Sequence, residues 1–251
     1  MIAESLLQKY DSVNLEEMSR VKLMNRVDTK FVVPLPVVTA LLEWGADRYL
    51  MQEIEGKRNM PYFTRYFDTP DNRMYYEHER GKKNRRKIRI RRYEGTVGPA
   101  FLEIKDKNNK GRTSKKRVGL EEGLPLAAYA DFIAENSEYR EENLQPKIEN
   151  RFNRLTLANP DWTERITIDT DLCFHNPVTE KDLSLQPVGI IEWKRDALAA
   201  RSELAYRLHE LRVSPGRFSK YIMGMALTDQ TLRRNRIKPR IRNLEKIIRQ
   251  Y

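Results

Sequence analysis

The sequence predicts an α+β fold: one antiparallel, barrel-like domain of about eight strands with flanking helices. The first reason is that several segments alternate charged with apolar residues, as in Lys87-Ile88-Arg89-Ile90-Arg91. Successive side chains of a strand point to opposite faces, so each such segment has one apolar face and one charged face. The second reason is that turn residues separate these segments at short intervals, with few helical stretches among them.

Turn and breaker residues place the ends of the predicted strands. The first strand ends at Pro34, and the second ends at the turn Thr69-Pro70-Asp71-Asn72. A turn at Gly95–Gly98 joins two strands into a hairpin, and the loop 107–112 leads to the next strand. The predicted strands are residues 25–33, a strand within 62–78, and residues 85–94, 99–106, 113–120, 146–157, 164–174 and 188–194.

Helical periodicity predicts the flanking helices. An N-terminal helix is predicted over about residues 5–24, where Asn14 ahead of Glu16 and Glu17 is a cap for a second short helix. A basic tail over about residues 232–251 is predicted to be helical from Asn243. The other helical segments are residues 35–47, an insertion at 121–143, and residues 198–212 and 217–230. We find no linker, so residues 1–251 are expected to form a single domain.

Composition narrows the classes of partner. The 251 residues are 39% hydrophobic and 33% charged, with a formal net charge of +11, which favours a polyanionic partner. The single cysteine, Cys173, excludes an internal disulfide framework and suits a reducing compartment. No apolar run approaches the roughly 20 residues that span a bilayer, and the N-terminus lacks a signal-peptide layout. We expect a cytoplasmic protein, with docking on a membrane protein left open.

The charged strand faces are the candidate binding surface. Lys87, Arg89 and Arg91 share one face, and arginine forks match phosphate oxygens. A carboxylate stands two residues before a lysine in Glu103-Ile104-Lys105 and Glu192-Trp193-Lys194. Such a pair can hold a cation and a phosphate side by side. The competing interpretations are a solvated basic edge strand and structural ion pairs that neutralise a basic cavity.

The remaining motif is a helix start, and the common catalytic motifs are absent from the sequence. Ser219-Lys220 opens a predicted helix, whose N-terminus either binds anions or is a routine helix start. His78, His175 and His209 share no metal-ligand spacing. The sequence contains no Walker A segment, no GxGxxG, no HExxH and nothing that suggests a Ser–His–Asp set.

Taken in order, these segments resemble the VTC domain, the polyphosphate polymerase domain of the vacuolar transporter chaperone complex. That domain belongs to the triphosphate tunnel metalloenzymes. The resemblance implies an eight-stranded antiparallel β-tunnel, a CYTH-like barrel, whose lumen is lined by charged side chains. The matching segments are NRVDTKFVV, YFDTPDNRMYY, RKIRIRRY, FLEIKDK, KIENRFNRL, RITIDTDL, GIIEWKRD and RFSKYIMGM.

The resemblance also implies roles for individual residues. Glu192 would hold a divalent metal, Mn²⁺ or Mg²⁺. The residues expected to act on the substrate phosphates in catalysis are Lys30, Arg89, Arg91 and Lys220. Further phosphate-binding positions are expected at Lys105, Arg165, Lys194 and Ser219, with Lys115 and Arg117 as weaker candidates by strand parity.

One position departs from the wider superfamily. Many tunnel triphosphatases begin with E-x-E-x-K, whereas this chain has Arg26-Val27-Asp28-Thr29-Lys30. An arginine in place of the first acid removes a metal ligand and adds affinity for phosphate. This disfavours a two-metal hydrolytic site and agrees with the VTC type.

Three functions are therefore compared. The first is a metal-dependent polymerase that transfers the terminal phosphate of ATP to a growing polyphosphate chain. The second is a tunnel triphosphatase that hydrolyses inorganic triphosphate or nucleoside triphosphates. The third is a non-catalytic module that binds polyphosphate or nucleic acid. The resemblance to the VTC domain implies ATP and polyphosphate as ligands. Few aromatic residues lie in the basic strands, Tyr93 being one, so we expect no nucleic acid.

Overall fold

The fold is built on one extended antiparallel sheet. A computed structural model describes residues 2–21, 26–94, 98, 100–109, 113–197 and 202–250. The strands are β1 (Ser12–Val13), β2 (Arg26–Pro34), β3 (Leu50–Gln52), β4 (Met60–Asp68), β5 (Arg85–Tyr93), β6 (Ala100–Lys107), β7 (Thr113–Leu120), β8 (Gln145–Ala158), β9 (Glu164–Asn176), β10 (Lys181–Ser184) and β11 (Val188–Asp196).

The sheet order confirms the predicted α+β architecture. Eight strands follow one path, β2-β11-β9-β8-β4-β5-β6-β7, and all the neighbours on it are antiparallel. The sequence pattern did not reveal β1, β3 and β10, which are short and pair beside this path, giving an 11-stranded sheet. Among the described residues no pairing joins β2 to β7, so the sheet is not a hydrogen-bonded closed barrel.

Most helices are shorter than the sequence pattern suggests, but the C-terminal helix begins earlier than predicted, at Lys238 rather than Asn243. They are α1 (Glu4–Leu7), α2 (Leu15–Met18), α3 (Leu35–Gly45), α4 (Arg73–Glu79), α5 (Ala130–Asn136), α6 (Glu203–Glu210), α7 (Lys220–Thr228) and α8 (Lys238–Ile248). The insertion predicted over 121–143 contains only α5 and two short 3₁₀ turns, Leu126–Tyr129 and Glu141–Asn143. The first residues of the helix predicted over 198–212 lie outside the described residues.

The prediction of one N-terminal helix over residues 5–24 is wrong. Asn14 has an extended backbone, and its side chain accepts a hydrogen bond from the Glu17 N–H while the Glu17 carboxylate accepts one from the Asn14 N–H. This capping box starts the second short helix that the sequence indicated at Asn14, whereas the first helix ends at Leu7. Ser12 and Val13 pair with β3 instead, and residues 22–24 lie outside the described part of the chain.

Apolar cores lie on the two faces of the sheet. On one face, Phe31, Leu155 and Ile191 are buried in the same cluster as residues of α1, α3 and α6. On the other, α7 packs so closely that a Cβ added at Gly224 would lie 2.6 Å from Phe174. Helix α7 therefore fills one end of the space that the curled sheet encloses and holds its first residue, Lys220, toward the middle.

The chain between α6 and α7 crosses from β2 toward β5. The Gly216 N–H donates to the Lys30 carbonyl at 2.7 Å, and Ser219 accepts a hydrogen bond from Lys87 on β5 at 2.9 Å. This segment brings two parts of the sheet together that no strand pairing joins. In the part of the chain that the structure describes, no helix is long and apolar enough to cross a membrane.

Candidate functional site: a cationic lumen

The inner face of the curled sheet carries a dense set of cations. Strand alternation places on this face the side chains that the sequence analysis grouped by parity, and α7 adds one more. Among the described residues, the cations on this face include Lys30, Lys87, Arg89, Arg91, Lys105, Lys115, Arg154, Arg165, Lys194 and Lys220. The carboxylates of Glu103, Asp169 and Glu192 lie among these cations. We call this region the lumen.

Glu192 is clamped between two lysines. Its Oε2 lies 3.2 Å from Lys30 Nζ, directly across the β2–β11 ladder, and its Oε1 lies 3.3 Å from Lys194 Nζ on its own strand. Burial works to raise the pKa of the Glu192 carboxyl, but Lys30, Lys194 and the more distant Arg154 outweigh it and hold that pKa well below its usual range. Glu192 is therefore ionised at any physiological pH.

Glu103 is held in the same way. Its Oε2 lies 2.6 Å from Arg89 Nη2, its Oε1 lies 3.2 Å from Lys115 Nζ, and the residue is only 2% exposed. Burial raises the pKa of Glu103, whereas Arg89, Arg91 and Lys115 lower it, with a net fall to about 2. For Glu103 the structure thus shows the competing interpretation of the sequence analysis, a structural ion pair with cations of the neighbouring strands.

The third carboxylate, Asp169, reveals a residue that the sequence analysis did not assign. Arg154 donates through Nε to Asp169 Oδ1 at 2.6 Å and through Nη2 to Oδ2 at 2.8 Å, and Lys220 also contacts Oδ2. Arg154 lies on β8, where a register shift relative to β9 between Arg151 and Asn153 interrupts simple alternation. The signal was present in the sequence, since Phe152 and Arg154 share one parity.

Burial among other positive charges lowers the pKa values of several lumen lysines. Burial, opposed by Asp169 and reinforced by Arg154, lowers the pKa of Lys220 to about 7. Burial and Arg89 lower the pKa of Lys105 to about 8, although its side chain reaches solvent inside the lumen. Burial and Lys105 also lower the pKa of Lys87. A bound polyanion would relieve this repulsion, so the free protein is electrostatically prepared for one.

The other predicted positions take less constrained places. Burial and Arg89 lower the pKa of Arg91 to about 10, and its guanidinium lies over the Tyr62 ring at 5.4 Å. The Nε atoms of Arg91 and Arg165 are buried without a hydrogen-bond partner in the described structure. Ser219 caps α7, as expected, and accepts from Lys87. Arg26 and Asp28 pair with each other at 3.1 Å at the start of β2.

The described residues around Glu192 could hold a metal ion only if a bound substrate supplied further ligands. The described residues contain no cluster of three His, Cys, Asp or Glu side chains that could hold a metal ion. Glu192 supplies one ionised carboxylate, and each of its oxygens already contacts a lysine. Mg²⁺ is commonly held by one or two carboxylates together with substrate phosphates and water. The lumen thus fits a divalent cation whose other ligands come from a bound phosphate chain.

Comparison with solved structures finds several proteins to which this chain is similar. The PH1819 protein from Pyrococcus horikoshii OT3 is 15% identical with a TM-score of 0.45, covering 79% of this chain and 97% of that one. A putative adenylyl cyclase from Hippeastrum, described as having a dominant triphosphatase activity, is 12% identical with a TM-score of 0.49, covering 82% and 97%. The triphosphatase of the mimivirus capping enzyme is 11% identical with a TM-score of 0.35, covering 84% and 96%.

The family assignment rests on sequence rather than on these remote structural similarities. A comparison with curated proteins finds no match. The family model of the VTC domain, in contrast, matches residues 25–229, which include β2, the whole lumen and α7. The chain belongs to the VTC domain family.

Proposed function

We propose that this protein is a metal-dependent polyphosphate polymerase, which transfers the terminal phosphate of ATP to a growing polyphosphate chain. The observation that carries the proposal is the lumen itself, where the described cations well outnumber the described carboxylates within a VTC-family domain. Such an excess of fixed positive charge suits a ligand that carries negative charge along its whole length. ATP and polyphosphate are the proposed ligands.

The lumen cations would bind and orient the reacting phosphates. Lys30, Arg89, Arg91 and Lys220 come from two strands and a helix, β2, β5 and α7, so their side chains approach the ligand from more than one side. Lys105, Lys115, Arg154, Arg165, Lys194 and Ser219 extend the same surface. Glu192 would hold a Mn²⁺ or Mg²⁺ ion, which supplies charge neutralisation between phosphate oxygens.

In the proposed reaction, a terminal phosphate oxygen of the polyphosphate chain forms a bond to the γ-phosphorus of ATP. The bond between that phosphorus and the β–γ bridging oxygen breaks, so ADP leaves and the chain gains one phosphate. Phosphate oxygens are already ionised, so no protein nucleophile or base is needed. Catalysis then consists of positioning and of charge stabilisation by preorganised cations.

The pKa values of the carboxylates favour this transfer over hydrolysis. A general base that activates water works best with a pKa near the operating pH. Neighbouring lysine and arginine side chains instead hold the pKa values of Glu103, Asp169 and Glu192 below the ordinary range of carboxyl groups. Hydrolysis of inorganic triphosphate or of nucleoside triphosphates is the second candidate, because the same lumen cations would bind those substrates equally well.

Product analysis tests the proposal. The purified protein is incubated with ATP and Mn²⁺, and the products are separated on a gel stained for polyphosphate and assayed for ADP and orthophosphate. Long chains formed together with ADP support the polymerase. Orthophosphate without chains supports the triphosphatase, and tight triphosphate binding without turnover supports a binding module.

A pair of arginines on β5 supplies a matched comparison. Arg89 faces the lumen and contacts Glu103, whereas Arg92 is an exposed residue on the opposite face of the same strand. We expect Arg89→Ala to abolish chain synthesis while Arg92→Ala keeps it. Equal activity in the two variants would contradict the lumen as the active site.

A further inference from the structure

A ladder of aromatic rings lines one side of the lumen. The Tyr62 ring stacks on Phe152 with centroids 5.1 Å apart, and meets Tyr93 edge-on at 4.9 Å. Tyr93 in turn meets Phe101 edge-on at 6.4 Å. The four rings come from β8, β4, β5 and β6, so they form a continuous apolar strip across the strands. The strip runs from the middle of the lumen to the end of the β5–β6 hairpin.

The outer end of this strip has features that the inner end lacks. Phe152 is 2% exposed, with Lys220 Nζ over its ring at 3.9 Å, so that ring is covered by protein. Phe101 is only partly buried, and the guanidinium of the exposed Arg117 lies 4.8 Å from its ring centroid. Arg117 has no ion-pair partner among the described residues. An accessible ring and a planar cation therefore stand together at the lumen entrance.

Gly119 leaves room beside this ring. It pairs directly with Phe101 across the β6–β7 ladder, and a Cβ added there would meet no atom within 4 Å. A side chain at this position would otherwise flank the ring, as cross-strand neighbours do. Open space beside an aromatic ring and an arginine is the geometry that accepts a flat heteroaromatic ring, because bases stack on both groups.

The spacing along β6 relates this place to the phosphate-binding cations. Phe101, Glu103 and Lys105 follow one another on the lumen face of the strand. At about 3.3 Å per residue, Phe101 lies roughly 13 Å along the strand from Lys105. An extended nucleoside triphosphate spans such a distance from its base to its terminal phosphate.

We propose that Tyr93, Phe101 and Arg117 form a nucleobase-binding platform, which orients a nucleoside triphosphate with its base at the β5–β6 hairpin end and its phosphates toward α7. The platform rests on the proposed function only in that the lumen must bind triphosphate. It specifies the donor as a nucleoside triphosphate rather than inorganic triphosphate. The few aromatic residues of the basic strands thereby gain a role that their number alone did not suggest.

Calorimetric binding of two probes tests the platform. The first probe is an ATP analogue with an imido group between the β and γ phosphates, and the second is inorganic tripolyphosphate, which has no base. We expect Phe101→Ala to weaken binding of the ATP analogue at least about fivefold, and to change binding of tripolyphosphate less than twofold. Gly119→Leu, which fills the open space at an exposed position, should give the same selective loss.

Phe63 provides the matched control. It also carries arginines over its ring, Arg65 at 5.8 Å and Arg151 at 4.9 Å, but it lies on the opposite face of β4 from Tyr62. Phe63→Ala should leave both probes unaffected. If Phe101→Ala and Gly119→Leu weaken both probes equally, or neither, while the wild type binds tripolyphosphate, the platform alone is overturned. If the wild type binds neither probe, the proposed function and the platform both fail.

Discussion

Replacing Arg154 with alanine is expected to destabilise the protein far more than replacing Arg151, three residues earlier on the same strand. Arg154 makes two charge-assisted hydrogen bonds to Asp169, at 2.6 and 2.8 Å, and Asp169 is 3% exposed. Arg151 lies on the other face, where its side chain is 59% exposed and its nearest contact to Glu94 is 3.4 Å. The two variants remove the same chemical group from opposite sides of β8.

The magnitude follows from these contacts. Hydrogen bonds to charged groups contribute roughly 1.5–3 kcal/mol each, so the two bonds would represent about 3–6 kcal/mol. Lys220 still contacts Asp169 after the change, and removal of one cation relieves repulsion in the lumen. We therefore expect the free energy of unfolding to fall by about 3 kcal/mol, near the lower bound for breaking a buried pair. Arg151→Ala should cost no more than about 1 kcal/mol.

Urea denaturation followed by the fluorescence of Trp44, Trp162 and Trp193 measures both values. With a slope near 3 kcal/mol/M, the Arg154→Ala midpoint should fall by about 1 M. The double variant Arg154→Ala, Asp169→Ala should lose less than the sum of the single losses, because each group's cost includes the unpaired partner. Equal losses for Arg154→Ala and Arg151→Ala, or additive losses in the double variant, would refute the role of the clamp.

Three further outcomes are expected. Since burial lowers the pKa of Lys220 to about 7, tripolyphosphate binding at pH 8 should take up protons, and the affinity for tripolyphosphate should fall as pH rises from 7 to 9. Calorimetry in buffers of different ionisation enthalpy measures the proton uptake, and proton release on binding would contradict it. The stability of the free protein depends on pH in the opposite direction. The unfolded chain holds the Lys220 proton up to about pH 10.4, whereas the folded chain loses it near pH 7, so the free energy of unfolding should rise as pH rises from 7. Glu192→Gln should abolish metal-dependent turnover. The same variant should bind tripolyphosphate without metal as tightly as the wild type or more tightly, because it removes a negative charge from a cationic lumen. Weaker metal-free binding would argue against tripolyphosphate binding beside Glu192. Gly224→Ala should cost about 1–3 kcal/mol in urea denaturation, since its Cβ would lie 2.6 Å from Phe174, whereas Gly119→Ala should be nearly neutral; similar losses would be inconsistent with the packing of α7.

Strand parity predicted the lumen face well where alternation is unbroken. On β5, Lys87, Arg89 and Arg91 do face inward together, since Ile88 on the other face is fully buried. Apart from the β5–β6 hairpin, pairing between strands could not be predicted, because it depends on register. Parity placed Glu192 beside Lys194, but only the β2–β11 ladder shows that Lys30 also reaches Glu192.

The failures have equally local causes. Arg154 shares the parity of Phe152, but the register shift between β8 and β9 is not visible in the sequence, so the pairing of Arg154 with Asp169 was not apparent. Residues 5–24 do not form one helix because Ser12 and Val13 pair with β3. The second short helix begins at the Asn14 cap, as the sequence indicated. Short strands such as β10 carry too few residues for alternation to show. Sequence patterns thus predicted the faces of the long strands, whereas tertiary pairing determined the ion pairs.

A crystal structure of the protein with Mn²⁺ and inorganic tripolyphosphate would test the central claim most directly. The account predicts a phosphate chain inside the lumen, in contact with Lys30, Arg89 and Lys220, with the metal bridging Glu192 and phosphate oxygens. Tripolyphosphate bound only at the exposed cations of α8, with the three carboxylate clamps of the lumen intact, would contradict it.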